Sequence, residues 1–185
     1  MANIFGGIEA AGWGPILVAV AAACLLALVG GLATDIGPWY RNLVKPSWQP
    51  PNWLFGPAWT LIFGLTAWAG VLGWTGAADA SQRTVVVVAF AVNGLLNMLW
   101  SVLFFSRRRP DWALIEVVAL WLSILAMIAV LSPLTGRGCL LLLPYLLWVS
   151  FAAYLNLTIV RLNAPFGSQA TRSARGPKHE AADSR

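Results

Sequence analysis

The sequence predicts an all-α integral membrane protein, a five-helix bundle, and three observations lead there; a stiff, aromatic first loop suited to closing a pocket adds the expectation of a loop-capped pocket. Of 185 residues, 59% are hydrophobic and only 10% charged, against about 25% charged in soluble domains. The apolar residues fall into five runs long enough to cross a bilayer, which takes about 20 residues per helix. None of the runs alternates as a barrel strand would, and a backbone in lipid must satisfy its own hydrogen bonds, so the runs read as helices.

In order, the spans are predicted at 14–33, 51–75, 84–105, 112–132 and 138–161. Met1 to Trp13 contains no Lys or Arg and reads as a short segment before the membrane rather than a secretory leader. Residues 1–162 form one membrane domain. Residues 163–185, small, polar and broken by Pro and Gly, read as a disordered basic C-terminal tail.

The net charge of +5 raises the question of nucleic acid, but the basic residues mark topology instead. Arg41, Lys45, Arg107, Arg108, Arg109, Arg161, Arg172, Arg175, Lys178 and Arg185 fall on one side of a five-span chain, and only Arg83 and Arg137 on the other. The positive-inside rule then places the first loop, the third loop and the tail in the cytoplasm and the N-terminus outside. Cys24 and Cys139 sit at different depths and read as small buried hydrophobes, not a disulfide.

The first span carries Ala19, Ala23, Ala27 and Gly31 at four-residue spacing, a smooth stripe for close backbone approach, either within the bundle or at a dimer seam. In the second, Phe55, Trp59 and Phe63 stack along one face. Pro50 and Pro51 stiffen the entry to it, and Pro57 removes a backbone donor near its start. In the third, "AFAVNGLLNMLWSVLFF" sets Asn93, Asn97, Trp100 and Phe104 on one face, either as interhelical hydrogen bonds or as a pocket wall with polar anchors. Glu116, in the fourth, is the carboxylate well inside a span; a structural ion pair near Arg107 to Arg109 competes with a functional role. The fifth, "PYLLWVSFAAYLN", aligns Tyr145, Trp148, Ala152, Leu155 and Asn156, and the small Ala152 leaves room against the aromatic rings.

These stretches resemble the TspO/MBR family, the translocator proteins also called tryptophan-rich sensory proteins or peripheral benzodiazepine receptors. "WYRNLVKPSWQPPNWLFGPAW" (Trp39 to Trp59) is similar to the family's WYxxLxKPxWxPPxWxFxxxW signature, "LNMLWSVLFF" to LNxxWxxxFF and "PYLLWVSFAAYLN" to PYLxWxxxAxxLN. The resemblance implies a membrane receptor for porphyrins, haem-related tetrapyrroles, sterols and benzodiazepine-type compounds, often a homodimer. It carries over Tyr40, Trp48, Pro50, Trp53, Trp59, Asn97, Trp100, Trp148, Ala152 and Leu155 as ligand-binding positions. Two positions depart from the pattern: Phe63 stands where the family usually has Tyr, and Leu157 and Thr158 replace the aromatic segment proposed as a cholesterol motif in animal members.

A porphyrin would stack its flat face on indoles and offer its propionates to Arg41 and Lys45. No obligatory cofactor, metal site or nucleic-acid partner is expected. The sole His, His179, lies in the tail, and no hydrolytic or transfer constellation is present. The alternatives are light-dependent porphyrin degradation, with Trp59 and Trp148 as the reacting side chains, and passive transport of apolar ligands. Haem iron would find axial donors only in Tyr40 and Tyr145.

Overall fold

The computed structural model describes residues 12–166, and five of its helical segments are long and apolar enough to cross a membrane. α1 spans Gly14–Ala33, α2 is the short Pro38–Asn42, and α3 spans Asn52–Gly76. α4 spans Ala80–Ser101 and runs on into a π-helical turn, Val102–Ser106. α5 spans Pro110–Leu131, α6 is the short Gly136–Leu140, and α7 spans Leu143–Asn163.

Local chemistry explains the helix starts. Pro stands in the first helical turn of α1, α2, α5 and α7, where its missing N–H has no intrahelical partner to lose. α4 begins four residues before its apolar run because Asp79 Oδ1 accepts from Gln82 N at 2.8 Å while Gln82 Oε1 accepts from Ala78 N at 2.8 Å. That reciprocal cap stabilises a polar first turn invisible to hydropathy. α3 continues through Pro57, which leaves the Trp53 carbonyl without its usual intrahelical donor.

The fifth span is not one helix. Thr135 Oγ1 accepts from Gly138 N at 3.2 Å and caps α6, the chain turns at Leu141–Leu142, and α7 restarts with Pro144 in its first turn. The end of α4 also departs from a regular helix: Arg107 N donates to Val102 O at 2.8 Å, a wide turn that re-aims Phe104 and Phe105. Such turns gather at functional sites.

α1 packs on α3 and α4, α4 on α5, and α5 on α7, while α3 and α7 meet only sparingly. The bundle order is therefore α3, α1, α4, α5, α7, with the gap between α7 and α3 left for the site. At the end carrying α2, the core is Tyr40, Phe104, Ala113, Leu155 and Ile159. Ile62, Val117, Leu120, Ile124, Tyr145 and Val149 fill the middle, and Ala69, Val86, Met127, Leu131 and Leu142 the far end.

Two expectations change. Cys24 is exposed on the outer side of α1 and Cys139 is half-buried, both as free thiols, so neither is a buried core residue. Asn163 belongs to the last turn of α7 rather than to a tail. The rest of the expected tail from residue 167, His179 included, lies outside the described residues.

Candidate functional site

A cavity of about 420 Å³ opens at the α2 end of the bundle, within the size range of small-molecule sites. Its walls come from α1, α3, α4 and α7, with Tyr40 of α2 above; α5 supplies no lining residue and backs the wall from behind. Phe55, Trp59 and Phe63 line it from α3, their four-residue spacing keeping all three on the inner face. Trp100, Phe104 and Phe105 line it from α4 and its π turn, and Trp148, Ala152, Leu155 and Asn156 from α7.

The rings brace one another. Phe55 meets Trp148 edge-on with centroids 5.7 Å apart, Trp59 and Phe63 lie at 5.3 Å, and Trp100 stacks on Phe104 at 5.2 Å. Aromatic pairs at these separations add about 0.5–1.5 kcal/mol each beyond their burial, so the wall is held in shape without a ligand.

Behind the aromatic wall runs a polar chain. Asn97 Nδ2 donates to the Tyr145 hydroxyl at 3.1 Å, the hydroxyl donates to Asn93 Oδ1 at 3.2 Å, and Asn93 Nδ2 donates to Ser123 Oγ at 2.8 Å. The hydrogen-bond alternative therefore describes both amides, and the pocket-wall alternative describes Asn97 as well. Asn93 is an interhelical hydrogen-bond residue away from the cavity, whereas Asn97 does the same job and also lines the cavity. Asn156, 1% exposed, turns its amide nitrogen to the Pro110 carbonyl and its oxygen to the Leu114 N–H, both at 3.1 Å.

Of the positions carried over from the resemblance, the structure gathers Tyr40, Trp59, Asn97, Trp100, Trp148, Ala152 and Leu155 on the cavity wall and leaves out Trp48, Pro50 and Trp53. Trp48 instead stacks on Tyr154 at 5.3 Å and meets Phe151 edge-on at 6.0 Å, fixing the loop to the outside of α7. Trp53 is 70% exposed, in the manner of an interfacial Trp. Pro50 shapes the loop without reaching the cavity.

The loop is also latched. Val44 N donates to Asn163 Oδ1 and Asn163 Nδ2 donates to Val44 O, each at 2.8 Å. Lys45 Nζ is turned inward, donating to the carbonyls of Tyr40, Arg41 and Leu43 and lying 4.4 Å from the Tyr40 ring centre. Desolvation holds its ammonium below the ordinary lysine range. Arg41 donates from Nε to Ile36 O at 3.2 Å. Ile36 lines the cavity but Arg41 itself does not; it is exposed beside that lining residue, while Lys45 is committed to holding the loop.

Two further expectations are corrected. Tyr145 is not on the cavity wall, so among the described residues Tyr40 is the one lining side chain of an axial-donor type, and none of the lining residues described is His, Cys or Met. The Tyr40 hydroxyl lies 3.4 Å from Asn52 Oδ1 and accepts from Gln49 Nε2 at 3.3 Å, and burial pushes its phenol up, with the Gln49 bond opposing. Nor does Glu116 form an ion pair: Arg109 is bound by Asp111, and both Glu116 oxygens are buried without a partner.

Sequence reasoning missed Ala27, Gly30, Gly31 and Thr34 of α1 as cavity wall. The small-residue stripe was the available signal, but it divides. Ala19 and Ala23 are half-buried toward the bundle, whereas Ala27 and Gly31 border the cavity. Gly56, Thr60 and Ser101 were also missed; lacking bulk or charge, they leave no mark in a periodicity.

Fold and site define a multi-pass integral membrane protein with an aromatic cavity beneath a latched loop. Residues 17–162 match the model of the TspO/MBR family, and the chain belongs to that family. It is 46% identical to the tryptophan-rich protein TspO of Chlorobaculum tepidum over 68% of this chain and 79% of that protein. It is 32% identical to the tryptophan-rich sensory protein of Cereibacter sphaeroides, over 82% and 92%, and 33% identical to the translocator protein of Homo sapiens, over 68% and 75%.

Proposed function

We propose that this protein is a membrane receptor for porphyrins and related tetrapyrroles, held by stacking rather than by metal coordination. The observation that carries the reading is the cavity wall: indoles from three helices, Trp59, Trp100 and Trp148, converge on one space beside the small Ala152. A flat macrocycle matches such walls. Asn97 and Ser101 offer polar contacts in the cavity, and Arg41, bonded to the carbonyl of the lining residue Ile36, is our candidate to meet a propionate. Lys45 contributes by fixing the loop rather than by pairing.

On this reading the first loop faces the cytoplasm with the third loop and tail, so ligand enters or leaves on that side, and the protein acts in sensing, transport or disposal, as a homodimer. Benzodiazepine-type compounds would occupy the same aromatic space. Because Trp59 and Trp148 both line the cavity, light-dependent degradation of the bound porphyrin is the second reading.

Quenching of Trp fluorescence by metal-free protoporphyrin and by ferric haem tests the proposal. With no ligating His, Cys or Met on the wall among the described residues, the two should bind within about threefold of each other, a difference below 1 kcal/mol. A haem spectrum of strong axial ligation, abolished by Tyr40→Phe, would replace stacking with coordination. Loss of porphyrin under illumination, slowed in Trp148→Phe, would favour the degrading activity.

A further inference from the structure

Glu116 has no task in the site described above, yet its environment is unusual. It lies about six residues into α5, roughly 9 Å along the axis from Pro110, and is 8% exposed. Both carboxyl oxygens are buried without a hydrogen-bond partner. Neither ion pair among the described residues includes it: Arg109 holds Asp111, and Arg108 faces Asp35. An ionised carboxylate so placed is strongly disfavoured, because nothing replaces its lost hydration.

The elements packed against α5 offer no counter-charge at that depth. α7 contributes the titratable Tyr145, whose hydroxyl is committed to Asn93 and Asn97; its other ionisable groups, Tyr154 and Arg161, are exposed. α4 presents the amides of Asn93 and Asn97 and the hydroxyl of Ser101, with its single charge, Arg83, at the far end; the π turn and α3 carry no ionisable side chain. Arg137 and Cys139 of α6 are also at the far end.

Two other buried donors are equally unpaired. The indole nitrogens of Trp100 and Trp148 have no acceptor, and both rings pack against the cluster that contains Val117, the residue next to Glu116. The two orphan donors thus border an apolar cluster that reaches the residue beside Glu116 in α5, and both belong to rings on the cavity wall. We propose that Glu116 is a proton-binding site in the membrane interior, neutral in the arrangement seen here, whose ionisation recruits the indole N–H groups of Trp100 and Trp148 and so reshapes the cavity wall. Any ligand that fixes those two rings then opposes ionisation, and by linkage proton and ligand favour each other. This holds whatever the ligand is.

The test uses the full-length protein without ligand. Infrared spectra across a pH titration report the carbonyl stretch of a protonated carboxyl group, and Trp emission reports the indoles. Expected is a protonated-carboxyl band at neutral pH that Glu116→Gln lacks, lost in the wild type on alkalinisation together with a shift in Trp emission. The emission shift should be absent from Glu116→Gln and reduced in Trp148→Phe. Glu116→Asp keeps the acid and moves the band, which assigns it even if Glu116→Gln does not fold. A wild-type spectrum without that band at any pH where the protein is folded would overturn the proton site. A band lost with no change in Trp emission would overturn the coupling to the cavity.

Discussion

The two halves of the bundle are built on opposite principles, and the glycines mark the change. Toward the α2 end, a Cβ added at Gly30 of α1, on the cavity wall, would have nothing within 4 Å; in α3 toward the far end, one at Gly73 would lie 2.4 Å from Leu131 Cδ2 and one at Gly76 2.6 Å from the Leu134 carbonyl oxygen. The far half is solid: Ala69, Met127, Leu131 and Leu142 are all 0% exposed. The near half is a shell of aromatic rings around a cavity, with unpartnered polar atoms on Trp100, Trp148 and Glu116. Close packing is the main adhesive between helices in lipid, so the solid half supplies the stability that lets the other half stay open.

The sharpest way to break the comparison is to place a methyl group in each half. Gly73→Ala forces a Cβ into a cluster with no free volume and should destabilise the protein by about 1–3 kcal/mol, read as a lower thermal midpoint in detergent. Gly30→Ala meets nothing and should leave stability unchanged or raise it by up to about 1 kcal/mol. Equal losses at both sites would deny that the halves differ in packing.

A smaller loss is expected where the halves join. Tyr145→Phe removes the hydroxyl between Asn97 and Asn93 and should lower stability by about 1–2 kcal/mol, the upper part of the range for membrane hydrogen bonds. If Asn97→Leu lowers stability similarly but leaves ligand affinity intact, Asn97 is a structural residue that merely borders the cavity. In the near half, Trp148→Phe keeps an aromatic ring and should preserve the fold while weakening porphyrin affinity by about 3–10-fold, the equivalent of about 0.7–1.4 kcal/mol. Unchanged quenching in that variant would remove Trp148 from the site. The smallest effect is expected at the latch: Asn163→Ala loses two bonds to Val44 at an exposed site. It should lower stability by about 1 kcal/mol or less while making the first loop more susceptible to limited proteolysis.

How much of this was legible from the sequence differs between the halves in the same way. The five spans were readable because the hydrocarbon layer imposes length and hydropathy on each, and the inward faces of α3, α4 and α7 were readable because aromatic residues recur at helical spacing. Breaks inside apolar sequence were not: the turn between α6 and α7 lies within a run of leucines, and the π turn at Val102–Ser106 differs from a regular helix only in hydrogen-bond register. The first loop shows the other limit. Its prolines and tryptophans announce a stiff aromatic segment, but a loop has no periodicity to say which way a ring faces. Trp48 and Trp53 thus matched the family signature while lying outside the cavity, and Lys45, legible as a cation, is spent on three backbone carbonyls. Glu116 was readable as lying inside a span, though not as buried and unpaired; that Arg109 prefers Asp111, two residues away, is a matter of geometry at the start of α5.

The central claim is that the open half is where ligand binds, and filling it tests that claim most directly. Ala152→Phe places a ring in the space between Trp148 and the facing wall, away from the solid half. Metal-free protoporphyrin should quench wild-type Trp fluorescence saturably, and Ala152→Phe, verified as folded by its thermal transition, should bind at least about 10-fold more weakly, the 1.4 kcal/mol per decade of affinity arithmetic. Saturable quenching of equal affinity in the folded Ala152→Phe protein would contradict the account and place the binding site outside this cavity.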